Sequence, residues 1–332
     1  MGKIEMALIE SDYRAPSWAK GGHVQTVVPA KLGRRPEVMY RREVVETPDA
    51  DIVAWDWVDP ASGAEDAPIL VHFHGLEGSS RSHYAQYLMH WAEMRGWRGV
   101  VAHFRGCGGL PNLKPRAYHA GDTADNFWVL KTVHERFPNA PMYAVGVSLG
   151  GNQLAKCLGE KSSELGFLMG AASVCAPIDL VAGSERISKG VNVFYANMFL
   201  ETLKEKYIEK SMRFPELFSR SEAEKCRTMF DFDESYTSKV HGFKSAMDYW
   251  QSCSAKKFLK RVRRPLLLLN SKNDPFLPEW VLPEESEVSS WVTLEYPEEG
   301  GHVGFPVGSF PGGSEWLPER IFRYFDGLES KG

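Results

Sequence analysis

The amino-acid sequence predicts an α/β protein with a mostly parallel central sheet and helices on both faces. Between residue 68 and about residue 180, short apolar runs alternate with stretches in which apolar residues recur at helical spacing. Strands of a parallel sheet are buried on both faces, so they appear as near-continuous apolar runs. The chain has 332 residues, of which 43% are hydrophobic, which suffices for a large buried core. We therefore expect one domain over residues 1–332.

Each predicted element follows from this alternation. Two β-rich segments come first, and the second places Val53, Trp55 and Trp57 on one face. The apolar runs then predict the other strands, and apolar residues three and four apart predict the helices between them. The predicted strands are residues 43–47, 52–58, 69–73, 99–104, 142–147, 168–176, 265–269 and 292–296. The predicted helices are residues 82–95, about 123–137, 151–160 and 316–325.

Two parts of the chain depart from this pattern. Residues 1–40 contain turn-forming pairs such as Gly21-Gly22, and we expect them to form an N-terminal arm. Between residues 183 and 256 the strands stop, and the sequence becomes charged and helical. A helical insertion between two strands of one sheet is typical of a cap, so a helical cap is predicted over residues 183–256.

Charge and cysteine content exclude several classes of partner. The formal net charge is −4, from 39 basic and 43 acidic residues of mixed order, which argues against nucleic acid and against an anionic membrane. The five cysteines form no C-x-x-C pair, which predicts reduced thiols in a cytoplasmic protein. The polar, acidic N-terminus does not resemble a signal peptide, and no apolar stretch is long enough for a stable membrane anchor.

The sequence Gly-Val-Ser-Leu-Gly-Gly at residues 146–151 is the strongest indication of chemistry. It has the form G-x-S-x-G, follows a predicted strand and opens a predicted helix, which is the context of a nucleophile elbow. The turn is crowded, so small residues must flank Ser148. The alternative is a glycine-rich turn that binds phosphate or only packs, but no G-x-G-x-x-G pattern or P-loop lysine is present.

A serine hydroxyl needs a base, and the base needs a residue that orients it. His302 follows the last predicted strand within a glycine-rich loop, and Asp274 follows the preceding strand. Asp179, after an earlier strand, is the competing acid. The chain order Ser148, Asp274, His302 is the order of a triad on a nucleophile elbow. The backbone N–H groups of Leu149 and Leu76 are the predicted oxyanion-hole donors.

Other polar residues have simpler interpretations. His72 and His74 could suggest a metal site, but no carboxylate-rich motif accompanies them, so we expect hydrogen-bonded core histidines. Arg105 and Asp125 are interpreted as a structural ion pair or surface charges rather than substrate ligands. Cys107 lies outside an elbow and is expected to be a small buried residue. No metal or organic cofactor is predicted.

A family resemblance supports this assignment. The chain resembles the YheT-like branch of the α/β-hydrolase superfamily, which is related to eukaryotic α/β-hydrolase-domain lipases. The resemblance implies a capped hydrolase with a triad at Ser148, Asp274 and His302 that acts on carboxylic esters. Two positions differ from the usual pattern, Gly108 in place of Ser and Asn273 in place of Asp. The matching stretches are residues 22–26 (GHVQT), 74–80 (HGLEGSS), 104–107 (FRGC), 118–123 (YHAGDT), 147–152 (VSLGGN), 241–243 (HGF), 273–276 (NDPF) and 300–305 (GGHVGF).

The sequence therefore predicts a serine carboxylesterase for small-molecule esters with short- to medium-chain acyl groups. Phe194, Tyr195, Met198 and Phe199 share one face of a predicted cap helix, and they are expected either to line an acyl pocket or to pack on the main domain. An acyltransferase or thioesterase with the same triad is one alternative. A catalytically silent binding protein of the same fold is another. The sequence does not indicate an oligomeric state.

Overall fold

The computed structural model describes residues 7–329, which form a nine-stranded sheet with helices on both sides. The predicted domain and arm also include residues 1–6 and 330–332, which lie outside the described residues. Across the sheet the strand order is β1-β9-β8-β7-β6-β4-β5-β3-β2. The strands are β1 (Leu8–Ile9), β2 (Arg41–Glu46), β3 (Ile52–Val58), β4 (Ile69–Phe73), β5 (Arg98–Ala102), β6 (Met142–Val147), β7 (Leu168–Val174), β8 (Leu266–Leu269) and β9 (Val292–Glu295).

The sheet is parallel over most of its width. The neighbouring pairs β1–β9, β9–β8, β8–β7, β7–β6, β6–β4 and β4–β5 are parallel. β3 runs antiparallel to both β5 and β2. Parallel strands end at the same edge of a sheet, so the loops after β4, β6, β8 and β9 leave on one side. This edge carries the candidate site.

The central strands are buried on both faces, as their apolar runs predict. Within β8, Leu266 and Leu268 belong to one hydrophobic core, and Leu267 and Leu269 belong to the core on the opposite face. This alternation follows from the two-residue period of a strand. The result is two separate cores with the sheet between them.

Helices form the outer layers. α3 and α4 pack on one face through residues such as Leu130 and Leu154, while α2 and α11 pack on the other through Leu88 and Phe322. The helices are α1 (Gly22–Lys31), α2 (His83–Met94), α3 (Thr123–Arg136), α4 (Leu149–Lys161), α5 (Leu180–Ile187), α6 (Val193–Arg213), α7 (Arg220–Lys225), α8 (Met229–Phe232), α9 (Ser238–His241), α10 (Ala246–Cys253) and α11 (Trp316–Glu329). A π-helical turn, Asp233–Thr237, joins α8 to α9.

The N-terminal region contains more regular structure than the sequence indicates. β1 extends the sheet by pairing in parallel with β9, and α1 occupies Gly22–Lys31, where only turns are predicted. The buried residues of α1 are Gln25, Thr26 and Pro29, so its inward face is not apolar. A helix of this kind leaves no hydrophobic period for sequence analysis to detect.

Helices α5–α10 lie between β7 and β8, where the sequence predicts a cap. Residues of α6, α7, α8 and the π-helical turn share a hydrophobic cluster of their own, separate from the two cores of the sheet. α5 begins at Leu180, three residues before the predicted boundary, and α10 ends at Cys253. We propose that residues 183–256 act as one unit, which we call the cap. Within residues 7–329, no helix combines the length and hydropathy needed to cross a bilayer.

Replacement of Leu268 by Ala tests the contribution of the buried strands. Leu268 is fully buried in β8, so Leu268→Ala is expected to lower the free energy of unfolding by about 2–5 kcal/mol. Met39 is 81% exposed, and Met39→Ala is the control, with an expected change within about 0.5 kcal/mol. Urea denaturation of both variants measures the difference, and equal midpoints would contradict the assignment of Leu268 to the core.

Candidate active site

Ser148 lies in a sharp turn between β6 and α4. Its backbone has φ 53° and ψ −121°, a left-handed conformation that is costly for a residue with a side chain. The flanking glycines are required by close approach, since a Cβ on Gly146 would overlap the carbonyl oxygen of Gly150. A Cβ on Gly150 would likewise overlap the carbonyl oxygen of Phe73. The turn therefore holds Ser148 at the N-terminus of α4.

Ser148, His302 and Asp274 form one hydrogen-bonded series. His302 Nε2 lies 2.9 Å from Ser148 Oγ, although the two residues are 154 positions apart in the chain. His302 Nδ1 lies 2.8 Å from Asp274 Oδ2. With the ring proton on Nδ1, the imidazole donates to Asp274 and accepts from the Ser148 hydroxyl. The Asp274 side chain is 1% exposed, and its other oxygen accepts the N–H of Phe276 at 2.7 Å.

The loop that carries His302 has an unusual backbone. Gly301 and Val303, on either side of His302, have φ values of 60° and 64°. The N–H of His302 donates to Thr26 Oγ1 at 2.8 Å, and the ring of Phe276 packs on the imidazole with 4.2 Å between centroids. These contacts fix the imidazole between its two partners.

Gln25 of α1 joins the loop of Asp274 to the loop of His302. Its Oε1 accepts hydrogen bonds from Asn273 Nδ2 and from the N–H of Gly300, both at 2.8 Å. Its Nε2 donates to the carbonyl oxygen of Ala19 at 2.7 Å and to Glu299 Oε1 at 3.0 Å. The residue is fully buried, so all its polar atoms are satisfied within the protein. We call Gln25 and Thr26 the α1 clamp.

The α1 clamp sits in direct contact with both loops. A Cβ on Gly22 would overlap the carbonyl oxygen of Asn273, and a Cβ on Gly304 would overlap that of Gln25. Asn273 also accepts the N–H of Gly301 through Oδ1 at 2.9 Å. Residues 22–26 are among the stretches that carry the family resemblance, but their pattern predicts no role for them. In the structure, residues of this segment hydrogen-bond to the loops that carry Asp274 and His302.

Leu76 and Leu149, the predicted oxyanion donors, both border the space beside Ser148. The N–H of Gly78 donates to the carbonyl oxygen of Gly75 at 2.9 Å, which closes a turn around Leu76. A Cβ on Gly75 would lie 3.2 Å from that of Ser148, so this turn passes directly beside the serine. Within residues 7–329, neither the Leu76 nor the Leu149 N–H has a protein acceptor. Both amides are therefore available to a ligand.

A cavity of about 190 Å³ opens onto Ser148 and His302. It lies between the sheet edge and the cap, and most of its lining is apolar, which suits a hydrocarbon chain. The apolar lining residues include Leu76, Leu149, Leu180, Ile187, Phe199, Leu203, Tyr207, Met229, Phe232, Phe276 and Leu277.

The structure separates the four residues of α6 that are expected either to line an acyl pocket or to pack on the main domain. Phe199 lines the cavity, but Phe194 and Met198 are 67% and 39% exposed, and they lie outside it. Tyr195 is also outside the lining, where its ring packs on Phe276 with 4.9 Å between centroids. The first turns of α6 extend past the cavity, and only the part of the helix from Phe199 onward faces it. The apolar stripe in the sequence therefore begins too early to describe the pocket.

The competing candidates have structural roles. Asp179 caps α5, because its Oδ1 accepts the N–H of Ala182 at 3.1 Å. Arg105 is 1% exposed and pairs with Asp49, Asp51 and Asp125, as expected for a structural ion pair.

The two strand histidines are hydrogen-bonded within the core. Burial lowers the pKa of His72 to about 4, and its Nδ1 lies 3.0 Å from the carbonyl oxygen of Val145. His74 Nδ1 donates to the carbonyl oxygen of Gly75 at 2.7 Å, and its Nε2 accepts the N–H of Phe104 at 3.2 Å. His74 therefore joins the turn at residues 75–78, through Nδ1, to the segment after β5, through Nε2.

Among residues 7–329, one group of three side chains could offer metal ligands: Cys175, Asp274 and His302, with ligand atoms within 4.8 Å of one another. Burial, and next the charge of Asp274, raise the pKa of the Cys175 thiol, whereas a metal ligand must be a thiolate. The sulfur instead accepts the N–H of Val303 at 3.3 Å. This donor set favours a hydrogen-bonded triad over a metal site. All five cysteines are free and buried.

The family profile of the alpha/beta hydrolase fold matches residues 68–309. This segment holds Ser148, Asp274 and His302 and covers more than half of the 332 residues. The chain belongs to the α/β-hydrolase fold family. The predicted fold class is confirmed by this match and by the parallel sheet.

Relatives of this α/β-hydrolase family member align over nearly the whole chain. "Putative esterase YheT" of Escherichia coli (strain K12) is 38% identical over 301 residues, which cover 90% of this chain and 88% of that protein. Human phospholipase ABHD3 is 31% identical over 325 residues, which cover 96% of this chain and 79% of that protein. The resemblance to the YheT-like branch is thereby confirmed.

A solved structure shares the fold at low identity. The Pyrococcus furiosus esterase Pf2001 superimposes with a TM-score of 0.55 and 15% identity, covering 90% of this chain and 98% of the other. Identity at this level shows a common fold and no more.

Replacement of Gln25 tests the α1 clamp. Gln25→Leu keeps the approximate volume but leaves the Gly300 N–H and the Asn273 amide without an acceptor, so the free energy of unfolding should fall by about 2–4 kcal/mol. Displacement of His302 should also slow labelling of Ser148 by a fluorophosphonate about 10-fold. Val24→Ala, at a 37% exposed position of the same helix, is the control. Labelling of Gln25→Leu at the control rate would contradict the role of the clamp.

Proposed function

We propose that this protein is a serine carboxylesterase that hydrolyses short- to medium-chain acyl esters through an acyl-enzyme on Ser148. The observation that carries the proposal is the series in which His302 lies 2.9 Å from Ser148 Oγ and 2.8 Å from Asp274 Oδ2. A base in hydrogen-bond contact makes a serine hydroxyl reactive. The strained turn at Ser148 supports the same interpretation, because backbone strain of this kind concentrates at functional sites.

In the first half of the proposed reaction, Ser148 Oγ attacks the carbonyl carbon of the ester while His302 Nε2 takes the hydroxyl proton. Asp274 keeps the other ring proton on Nδ1 and stabilises the imidazolium without accepting that proton. The carbonyl oxygen becomes an oxyanion and accepts the N–H groups of Leu76 and Leu149. The positive end of α4 adds to this stabilisation. His302 then gives its proton to the departing alcohol, and the acyl group remains on Ser148.

In the second half, water takes the place of the alcohol. His302 removes a proton from the water, whose oxygen attacks the acyl carbonyl, and the same N–H groups stabilise the second oxyanion. Cleavage of the acyl–Ser148 bond releases the carboxylic acid, and His302 returns the proton to Ser148. The proposed reaction requires no metal and no organic cofactor.

The cavity supports an ester with an apolar acyl group as the substrate. Phe199, Leu203 and Tyr207 of α6 line it, so the cap sets how long an acyl chain can be accommodated. The relatives support ester chemistry as well, since the Escherichia coli protein carries the name "Putative esterase YheT" and the human protein is a phospholipase.

Two other functions can be distinguished from ester hydrolysis by experiment. An acyltransferase or thioesterase would use the same three residues and differ only in the acceptor or the leaving group. Adding an alcohol and measuring the ratio of new ester to free acid separates acyl transfer from hydrolysis. A catalytically silent binding protein would fail to react with a fluorophosphonate at Ser148, despite the hydrogen-bonded geometry of the site.

Removal of the nucleophile tests the proposal directly. With p-nitrophenyl esters from acetate to decanoate, Ser148→Ala is expected to lower kcat by on the order of 10⁴-fold or more, because the hydroxyl that forms the proposed acyl-enzyme is removed. Asp274→Asn should lower kcat by about 10⁴-fold, because the imidazole adopts the wrong tautomer. Asp179→Asn, which changes only a helix cap, is the control and should retain activity. Equal turnover by wild type and Ser148→Ala would overturn the proposal.

A bulky residue at position 203 tests the location of the acyl chain. Leu203 is buried at the cavity wall, so Leu203→Trp should lower kcat/KM for the decanoate ester about 10-fold or more and leave the acetate ester within about 2-fold. Met198→Trp, on the exposed side of α6, should leave the chain-length profile unchanged. A melting temperature for each variant separates a filled pocket from unfolding. An equal loss on acetate and decanoate would place the acyl chain elsewhere.

A further inference from the structure

The turn at residues 75–78 contains a conformation that needs external support. Leu76 and Glu77 occupy its two inner positions, between the carbonyl of Gly75 and the N–H of Gly78. Glu77 has φ 55°, although left-handed backbone is normally left to glycine. The N–H of Leu76, the proposed oxyanion donor, shares its peptide unit with the Gly75 carbonyl, which accepts the N–H of Gly78, the residue after Glu77. Its direction therefore depends on how Glu77 is held.

One support for Glu77 comes from the main domain. The hydroxyl of Tyr118 accepts the Glu77 N–H at 3.1 Å and donates to Glu77 Oε1 at 2.6 Å. The Tyr118 ring is itself stacked on Phe104, with 5.1 Å between centroids. A single hydroxyl thus fixes both the backbone and the carboxylate of Glu77.

The other support comes from the cap. Lys206 of α6 places Nζ 2.7 Å from the same oxygen of Glu77, whose side chain is only 11% exposed. Nζ also lies 3.6 Å from the sulfur of Cys107. Burial alone would lower the pKa of Lys206, but Cys107 and Glu77 carry it above its ordinary value, so the ammonium group stays charged. The pair is sheltered mainly on the carboxylate side, since the Lys206 side chain is 36% exposed.

Leu76 is in contact with the cap as well. Its side chain packs against the sheet core and also against the separate hydrophobic cluster of the cap, which includes Leu203 and Tyr207. The cap therefore contacts two consecutive residues of this turn, Leu76 by apolar packing and Glu77 by an ion pair.

We propose that Lys206 is a positioning residue for the oxyanion hole: its ion pair with Glu77 holds the turn at residues 75–78 so that the Leu76 N–H points at the space beside Ser148. The inference rests on the proposed ester hydrolysis, in which that amide serves the tetrahedral intermediate. Under this proposal the cap, besides lining the space for the acyl chain, helps to position a hydrogen-bond donor for the oxyanion. Because the oxyanion forms only during reaction, loss of Lys206 acts on kcat rather than on KM.

The test compares variants of Lys206 and Glu77 in the full-length protein with p-nitrophenyl acetate. Lys206→Met is expected to lower kcat about 10-fold with KM within about 2-fold, because a displaced donor forfeits part of its stabilisation. Lys206→Arg keeps the charge and should restore most of the rate. Lys239→Met is the matched control, since Lys239 pairs with Glu222 elsewhere in the cap. Equal kcat for Lys206→Met and wild type, or an equal loss in Lys239→Met, overturns the inference.

A second comparison isolates the backbone conformation. Glu77→Ala and Glu77→Gly both remove the carboxylate, but glycine adopts positive φ without strain. Glu77→Gly should therefore retain a higher kcat than Glu77→Ala, and the opposite order would overturn the inference. Fluorophosphonate labelling distinguishes the two levels of the proposal. If wild-type Ser148 does not label, ester hydrolysis itself fails; if it labels and Lys206→Met labels equally fast, only the role of Lys206 fails.

Discussion

The whole arrangement depends on one imidazole that must reach an alcohol and a carboxylate at the same time. β6, β8 and β9 belong to one parallel array, so the loops that follow them emerge on the same side. Those loops carry Ser148, Asp274 and His302, and the first and last of them contain non-glycine residues with positive φ. Positive φ at Ser148 and Val303 persists because tight contacts with neighbouring backbone leave no alternative.

Much of this could be predicted from the sequence, for identifiable reasons. A strand buried on both faces must be apolar throughout, so residues 142–147 and 266–269 are recognisable without coordinates. The elbow is recognisable because the crowding around Ser148 admits only glycine at positions 146 and 150. The parallel order of the sheet then brings the loops of Asp274 and His302 to the same edge.

The sequence does not reveal α1 or the part of α6 that faces the cavity, because in both helices hydrophobicity does not show which side chains are in contact with the rest of the protein. In α1, Gln25 and Thr26 face inward while Val24 and Val27 are 37% and 39% exposed, so no hydrophobic pattern marks the helix. In α6 the apolar residues extend beyond the part that faces the cavity, and periodicity alone cannot show where contact begins. In both helices, the partner surface decides which side chains are buried.

The α1 clamp also bears on where the working unit of this protein begins. The profile of the shared fold starts at residue 68, downstream of Gln25 and Thr26. A fragment trimmed to residues 68–309 would retain Ser148, Asp274 and His302, yet lose the helix that contacts the loops of two of the three. Boundaries taken from the common fold therefore exclude residues that hold the candidate site together. Lack of activity in a fragment of that length would not show that the longer chain is inactive.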